Sequence, residues 1–395
     1  MLRAIKSLYH LLMAIAANVY YGFPARKLTV IGVTGTDGKT TTTTLIYEIL
    51  KKAKVNVSMV TSVHAVIAGK SYDTGFHVTT PDVWHVQKYL KEALDHGDTH
   101  FVLEMTSHGL AQYRVFGVPV AIAVLTNITH EHLDWHKTFD EYVKTKFMLL
   151  KQAKKVVINR DEDDIYNRAL PLLLDKTMIT YGLYRSAKVM PDTVTCTLPT
   201  IEFNKYNALA AIAVGQELGI DEKVINDAIE QFPGIKGRME VVIDSPFTVI
   251  VDFAHTPNAI AKALSAAQLM TKKHIIHVFG SAGHRDHSKR PLMGAASEKY
   301  ATQTILTEED YRTENIDHIN NEIQSGMSDT ANVTRINDRK EAITAALKEA
   351  NKGDVVIITG KGHEQSLCRG TTEYPWDDKT AVLSLMKELK LNKKK

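Results

Sequence analysis

Two cysteines in 395 residues, Cys196 and Cys368, supply no disulfide framework and no zinc-ligand spacing, which points to a reducing compartment. No apolar run approaches the ~20 residues that a spanning helix needs, and no signal peptide with a cleavage site opens the chain. Neither sign of charge dominates. With 48 basic and 45 acidic side chains the formal net charge is +3, too small to argue for a nucleic-acid partner. Repeats of solenoid length and low-complexity tracts are also missing, which excludes repeat arrays. The composition, 44% hydrophobic and 24% charged, is ordinary for a soluble globular protein, long enough for two or three domains; with the cysteine count the expectation is a cytoplasmic monomer.

The opening stretch "SLYHLLMAIAANVYYGFP" is apolar and aromatic and is stopped by Gly22 and Pro24. It predicts a helix packed on the domain behind it. Residues 8–21 also suit peripheral contact with a membrane surface or a partner, with Arg3 and Lys6 facing anionic groups. From residue 28 onward, apolar runs at 28–33, 57–60, 100–105, 120–125 and 155–159 alternate with helical stretches such as 40–53, 82–96 and 201–220. That alternation predicts an α/β fold with a mostly parallel sheet and helices on both faces. Pro233, Gly234 and Gly237 then break the pattern before a second α/β alternation begins. The expected division is an N-terminal apolar helix at 1–24, a P-loop-type ATPase domain at 25–233 and a Rossmann-like C-terminal α/β domain at 234–395.

The stretch "VIGVTGTDGKTTTTTLI" (30–46) carries the first chemistry. It reads as a buried strand, a glycine loop (Gly35, Thr36, Asp37, Gly38) and the first turn of a helix, whose backbone N–H groups favour anions. Lys39 adds a positive charge for β/γ-phosphates, and Thr40 offers a hydroxyl to Mg²⁺. The strict phosphate-loop pattern has glycine where this chain has Val33, so the loop is a variant. Glu104 stands at the end of a buried strand, where open α/β sheets gather ligands. The loop after the next strand holds His130, Glu131, His132, Asp134 and His136. Oxygen ligands with one imidazole suit Mg²⁺ shared with phosphates; a zinc site lacks cysteine and tetrahedral spacing here.

Taken in order, "TGTDGKTTT", "EMTSHGL", "NITHEHLDWHKTFDEYVKTK", "FNKYNALAA", "GIKGRMEVV", "VDFAHTPNAI", "GSAGHRDHSKRPLMG", "GKGHE" and "PWDDK" resemble the Mur ligases. These are ATP-dependent, amide-forming enzymes of peptidoglycan precursor synthesis. The resemblance spans residues 28 to 380 and is strongest to the type that adds the third amino acid to UDP-N-acetylmuramoyl-L-Ala-D-Glu. It implies that ATP phosphorylates the acceptor carboxylate and that an amine then displaces phosphate from the acyl phosphate. Lys39, Thr40 and Thr41 would hold the phosphates. Thr40, Glu104 and His132 would ligate Mg²⁺, and Lys146, as a carbamate formed with CO₂, would serve a second Mg²⁺. Asn207, Arg238, Asp252 and His255 match ATP contacts, the last three near the boundary that domain closure would bring onto the nucleotide. Thr79, Thr80, Pro81, Ser107 and Arg114 match contacts to the muropeptide acceptor.

Two departures stand out. The uridine-gripping domain of such ligases is expected to be absent, because the phosphate loop begins about thirty residues in. In the amino-acid pocket, enzymes that select meso-diaminopimelate show Asp-Asn-Pro-Arg, whereas "TEEDYRTEN" (307–315) keeps Arg312 and Glu314 but has Asp310 and Tyr311 for Asn-Pro. Arg312, Gly360 and Glu364 favour a diamino dicarboxylate, with L-lysine the alternative. The competing readings are a related ligase acting on an accessory muropeptide or pseudomurein-type peptide, a folylpolyglutamate synthase, and a non-catalytic ATP-binding scaffold.

Overall fold

A computed structural model describes residues 2–72, 80–129 and 133–391, without the side chains of 2–5, 133 and 134. The chain separates into two compact units, residues 1–233 and 234–395.

The first unit is built on eight strands among the described residues: β1 (Thr29–Thr34), β2 (Val57–Val60), β3 (Ala65–Ile67), β4 (Lys70–Tyr72), β5 (His100–Glu104), β6 (Val120–Leu125), β7 (Lys155–Asn159) and β8 (Thr177–Tyr181). Their order is β4-β3-β2-β5-β1-β6-β7-β8. The six strands from β2 to β8 run parallel, and β3 and β4 add an antiparallel edge. β1 lies at the centre, so its residues alternate between two buried faces. Val30 joins the core that holds Phe101, Leu103 and Phe147, while Ile31 and Val33 join the one that holds Ile46, Ile49 and Ile212. Burial on both faces is why β1 reads as an unbroken apolar run.

The first helix, Leu2–Tyr21, sits on this unit by its small side. Ala14, Ala17 and Asn18 are fully buried near Val83, and Asn18 Nδ2 donates to Ala14 O and Phe116 O at 2.8 and 2.9 Å. The large residues Leu8, Leu12, Ile15 and Val19 point out, each at least 42% exposed. Among the described residues no helix is long and apolar enough to cross a membrane.

The second unit has a six-stranded sheet, β9 (Glu240–Ile243), β10 (Thr248–Val251), β11 (Ile275–Phe279), β12 (Gln303–Leu306), β13 (Val333–Arg335) and β14 (Val355–Ile358), in the order β13-β12-β11-β14-β10-β9. All pairs are parallel except β9 with β10. A hairpin of β15 (Ser366–Arg369) and β16 (Thr372–Pro375) follows. Beneath the sheet, Arg339 is fully buried and holds Asp378 through Nε and Nη2, both at 2.8 Å, while also donating to Glu308 O and Thr359 O.

Removing one member of such a pair strands the other in a low-dielectric interior. Asp378→Ala is expected to cost about 3–5 kcal/mol, read as a lowered urea midpoint. A loss below about 1 kcal/mol would mean the pair behaves as a surface one.

Candidate active site

The phosphate loop is shaped by the ends of neighbouring strands. Gly35 and Gly38 both adopt positive φ, and neither has room for a side chain: an added Cβ would come within 1.8 Å of Thr126 Oγ1 and 2.2 Å of Asn207 Oδ1 respectively. Thr126 and Asn127, just after β6, clamp the loop from outside. Thr126 Oγ1 donates to Asp37 O at 2.6 Å, and Asn127 accepts from Thr36 N through its carbonyl and from Asp37 N through Oδ1. Thr36 Oγ1 adds a 3.1 Å hydrogen bond with Tyr142 OH. The loop is thereby set before any ligand arrives, and Lys39 Nζ rests on Thr36 O at 2.7 Å.

The threonine row then divides by helical position. Thr40 Oγ1 turns down to Glu104 Oε2 at 2.9 Å and to Ser62 Oγ at 2.9 Å. The Ser62 N–H also donates to Glu104 Oε2, at 3.0 Å. Glu104 is 1% exposed, so this is a buried carboxylate ringed by hydroxyls, a hard-oxygen donor set that suits Mg²⁺. Thr42 Oγ1 reaches Asn207 Oδ1 at 3.4 Å, Thr44 Oγ1 donates back to Thr40 O at 2.9 Å, and Thr43 is packed in the interior. Lys146, on the Phe139–Gln152 helix, is 1% exposed; its Nζ donates to Gly35 O at 2.6 Å and lies over the Tyr142 ring. A buried amine so close to the phosphate loop fits the position a carbamate would take.

The acceptor candidates gather around the short Ser107–Ala111 helix. Arg114 Nη1 donates to Thr80 O at 2.6 Å, and Thr80 Oγ1 accepts from Thr106 N at 3.0 Å and bonds Glu104 O at 3.2 Å. Burial pushes the Arg114 guanidinium below its ordinary value. Pro81 is buried beside them. Ser107 Oγ meets His136 Nε2 at 2.9 Å. The expected residues His132 and Thr79, and with them His130 and Glu131, lie outside the described residues.

In the second unit Asp252 leaves β10 and accepts from Met239 N at 2.6 Å and Ala254 N at 2.8 Å. It is therefore not the N-cap of the following helix, a place that Thr256 takes. Arg238 lies over the Phe253 ring at 4.5 Å, and that ring also meets His255 and His363. Burial, with Lys289 nearby, lowers His255 to about 4, which keeps its ring neutral. Arg312 adopts φ 54° and donates from Nη1 to Gly283 O at 2.9 Å. Lys361 is buried between Asp310, 2.8 Å away, and Glu364, 2.5 Å away. Burial opposes its charge, but the two carboxylates outweigh that and raise its value. Gly360, at φ 104°, packs on Glu309, whose carboxyl is raised to about 7 by burial.

Sequence reasoning missed Ser62, Tyr142, Thr126 and Asn127. The available signal was position: each follows a strand end or shares the Lys146 helix. Asp310 was seen only as a departure, and its pairing with Lys361 needed coordinates.

The family described as Mur ligase middle domain matches residues 33–215, and the Mur ligase, glutamate ligase domain matches residues 237–362. UDP-N-acetylmuramoyl-L-alanyl-D-glutamate–2,6-diaminopimelate ligase of Aquifex aeolicus is 36% identical over 390 residues, covering 94% of this chain and 80% of that protein. Ligase 1 of the same name from Clostridium acetobutylicum is 33% identical, covering 95% and 82%. A solved ligase of that name superposes with a TM-score of 0.59 at 29% identity, over 92% of this chain and 79% of the other. Escherichia coli FolC, with DHPP and ADP, gives 0.69 at 17% identity over 95% and 92%, a likeness of fold alone. With two family domains in order and relatives of this identity along nearly its whole length, the chain belongs to the Mur ligase family of ATP-dependent ligases.

Proposed function

We propose that this protein adds meso-diaminopimelate to the D-glutamyl carboxylate of a muramoyl-L-Ala-D-Glu acceptor in peptidoglycan precursor synthesis. The observation that carries the reading is the junction of Thr40, Ser62 and buried Glu104 directly under a preformed phosphate loop, with Lys146 on that loop's other side. The relatives named above act, by name, on that acceptor and that diamino acid.

In this reading residues 25–233 hold the acceptor and the phosphates of ATP, and residues 234–395 hold the amino acid and add nucleotide contacts. Lys39 leaves Thr36 O for the β/γ-phosphates, and the first-turn N–H groups of the helix that begins at Lys39 receive their oxygens, while Asn127 keeps the Thr36 and Asp37 N–H groups in place. Thr40 and Glu104 would hold one Mg²⁺ and Lys146, as its carbamate, a second; bound there, the ions would neutralise charge on the transferring phosphoryl group. The γ-phosphoryl passes to the acceptor carboxylate, breaking its bond to ADP. The free amine then attacks the acyl carbon, the C–O bond to phosphate breaks, and the amine's proton is lost. Arg114, beside Thr80 and Ser107, supplies a cation for an acceptor carboxylate. Asn207, and in the second unit Arg238, Asp252 and His255, are proposed as nucleotide contacts. Arg312, with Gly360 and Glu364, is proposed to receive the distal end of the amino acid, its guanidinium pairing the second carboxylate that L-lysine lacks.

Three measurements test these assignments. Lys39→Ala and Thr40→Ala should each lower kcat for ADP formation by at least about a hundredfold. Thr43→Val should stay within about threefold, since the Thr43 hydroxyl has no hydrogen-bond partner among the described residues. Equal losses at all three positions would overturn this division of the threonine row.

Lys146→Ala should abolish turnover, and short-chain carboxylates should restore part of it by standing in for the missing anion. A near-normal rate with no additive would exclude the carbamate.

For the third residue, wild type should prefer meso-diaminopimelate to L-lysine in kcat/KM, and Arg312→Ala should erase about tenfold or more of that preference. Unchanged discrimination would place the selecting group elsewhere.

A further inference from the structure

An open cavity of about 970 Å³ lies in the first unit, at the upper end of the size range of small-molecule sites. Lys6, Ser7 and His10 of the first helix line it together with Gln112, Trp135 and Lys144. The cavity is continuous with the acceptor candidates through two side chains. Gln112 Oε1 accepts from Arg114 Nε at 3.1 Å and Nη2 at 2.8 Å. His136, another lining residue, holds Ser107 Oγ. A peptide held at Ser107 and Arg114 would therefore have the rest of its molecule at this cavity.

The lining is chemically specific. Among the described lining residues, two ammonium groups, Lys6 and Lys144, and two imidazoles, His10 and His136, stand with one carboxylate, Glu141. The first 36 residues contain Arg3, Lys6, Arg26 and Lys27 and no aspartate or glutamate, so the helix brings no acidic group of its own to the wall. The balance favours an anion. Trp135 adds an aromatic body, braced edgewise by His136 at 4.5 Å and tilted against His108 at 4.7 Å. An indole beside basic groups suits a sugar that carries a negative charge: the ring gives apolar area to the sugar's C–H face, and the cations take the charge.

We propose that this cavity is the subsite for a glycosyl phosphate, the sugar-1-phosphate end of the acceptor. Trp135 packs on the sugar, and Lys6, His10 and Lys144 take the phosphate oxygens. The first helix is thus a wall of the acceptor site, with its small face on the body and its N-terminal basic residues at the ligand. This rests on the muropeptide reading above and extends it to the opposite end of the substrate. A nucleoside diphosphate and a lipid diphosphate present the same glycosyl phosphate, and the cavity chemistry recognises what they share.

Calorimetry with the full chain tests it, using muramoyl-L-Ala-D-Glu with a free anomeric hydroxyl, its 1-phosphate, its UDP form, and its lipid-diphosphate form in detergent micelles. Lys6 and Lys144 are both exposed, so Lys6→Ala with Lys144→Ala should leave folding intact, checked by circular dichroism. The 1-phosphate is expected to bind at least tenfold tighter than the free sugar, and the double variant to bring that ratio close to one, with Lys6→Arg retaining most of it. A UDP or lipid form that binds tighter still supports the subsite and identifies the carrier. Equal affinity for phosphorylated and unphosphorylated acceptor in the wild type overturns it, as does a double variant that weakens both alike. Turnover of the unphosphorylated acceptor with meso-diaminopimelate is read separately. Turnover without a phosphate-dependent gain in affinity sinks only the subsite, whereas no binding or turnover of any acceptor sinks the ligase reading itself.

Discussion

A carboxylate buried to 1% exposure has to be satisfied, and Glu104, at the end of β5, is satisfied by groups delivered from the two strands that flank it. β2, β5 and β1 are neighbours in the sheet; Glu104 is the last residue of β5, and Ser62 and Thr40 follow the C-terminal ends of β2 and β1. The parallel register fixes this meeting: Val33 is paired with Glu104, so the phosphate loop that follows β1 must start beside that carboxylate. Charge brought into a dry site is costly unless partnered, which makes the cluster a demanding feature to build and a ready one for a cation. The loop clamp from Thr126 and Asn127 and the approach of Lys146 to Gly35 both depend on the same alignment of strand ends, one strand further on.

The second unit solves a different problem, holding charged groups inside a small α/β sheet. It does so with closed sets: Arg339 with Asp378, Lys361 with Asp310 and Glu364, and Arg290 with Glu314 and Glu322. The hydrogen bonds from Arg290 hold Glu314 well below the usual carboxylate range, whereas burial without comparable partners raises Glu309 to about 7. Asp310, which stands where the diaminopimelate pattern has asparagine, is absorbed by Lys361 and by the Cys368 N–H on β15. Its charge is thus already engaged within the protein. That is the physical reason the departure from Asp-Asn-Pro-Arg does not by itself argue against an anionic amino acid at Arg312.

Much of this was legible in the sequence. Buried parallel strands announce themselves as apolar runs, and β1, β2, β5, β6 and β7 fall within a residue or so of the expected positions. The short strands β3 and β4, only three residues each, and β8, whose alternating burial reflects its place at the sheet edge, carry too weak a pattern to be read. That the glycine loop, Lys39, Thr40 and Glu104 are candidates was legible because phosphate and metal chemistry use those residue types beside a strand end, and the structure brings Thr40 and Glu104 together. Ser62 and Asn127 were not, since a serine or asparagine after a strand serves turns far more often than ligands.

The sequence by itself determined the α/β class, the family and the residue types of the candidate phosphate loop, because local periodicity and short motifs encode what is local. Only the tertiary structure decided which hydroxyl of five consecutive threonines meets Glu104, that His136 meets Ser107, and that the first helix turns its small side inward and its Lys6 and His10 toward a cavity. Those outcomes follow from helix phase and strand order, which set direction in three dimensions. A linear pattern shows that a side chain is present; it does not show what that side chain faces.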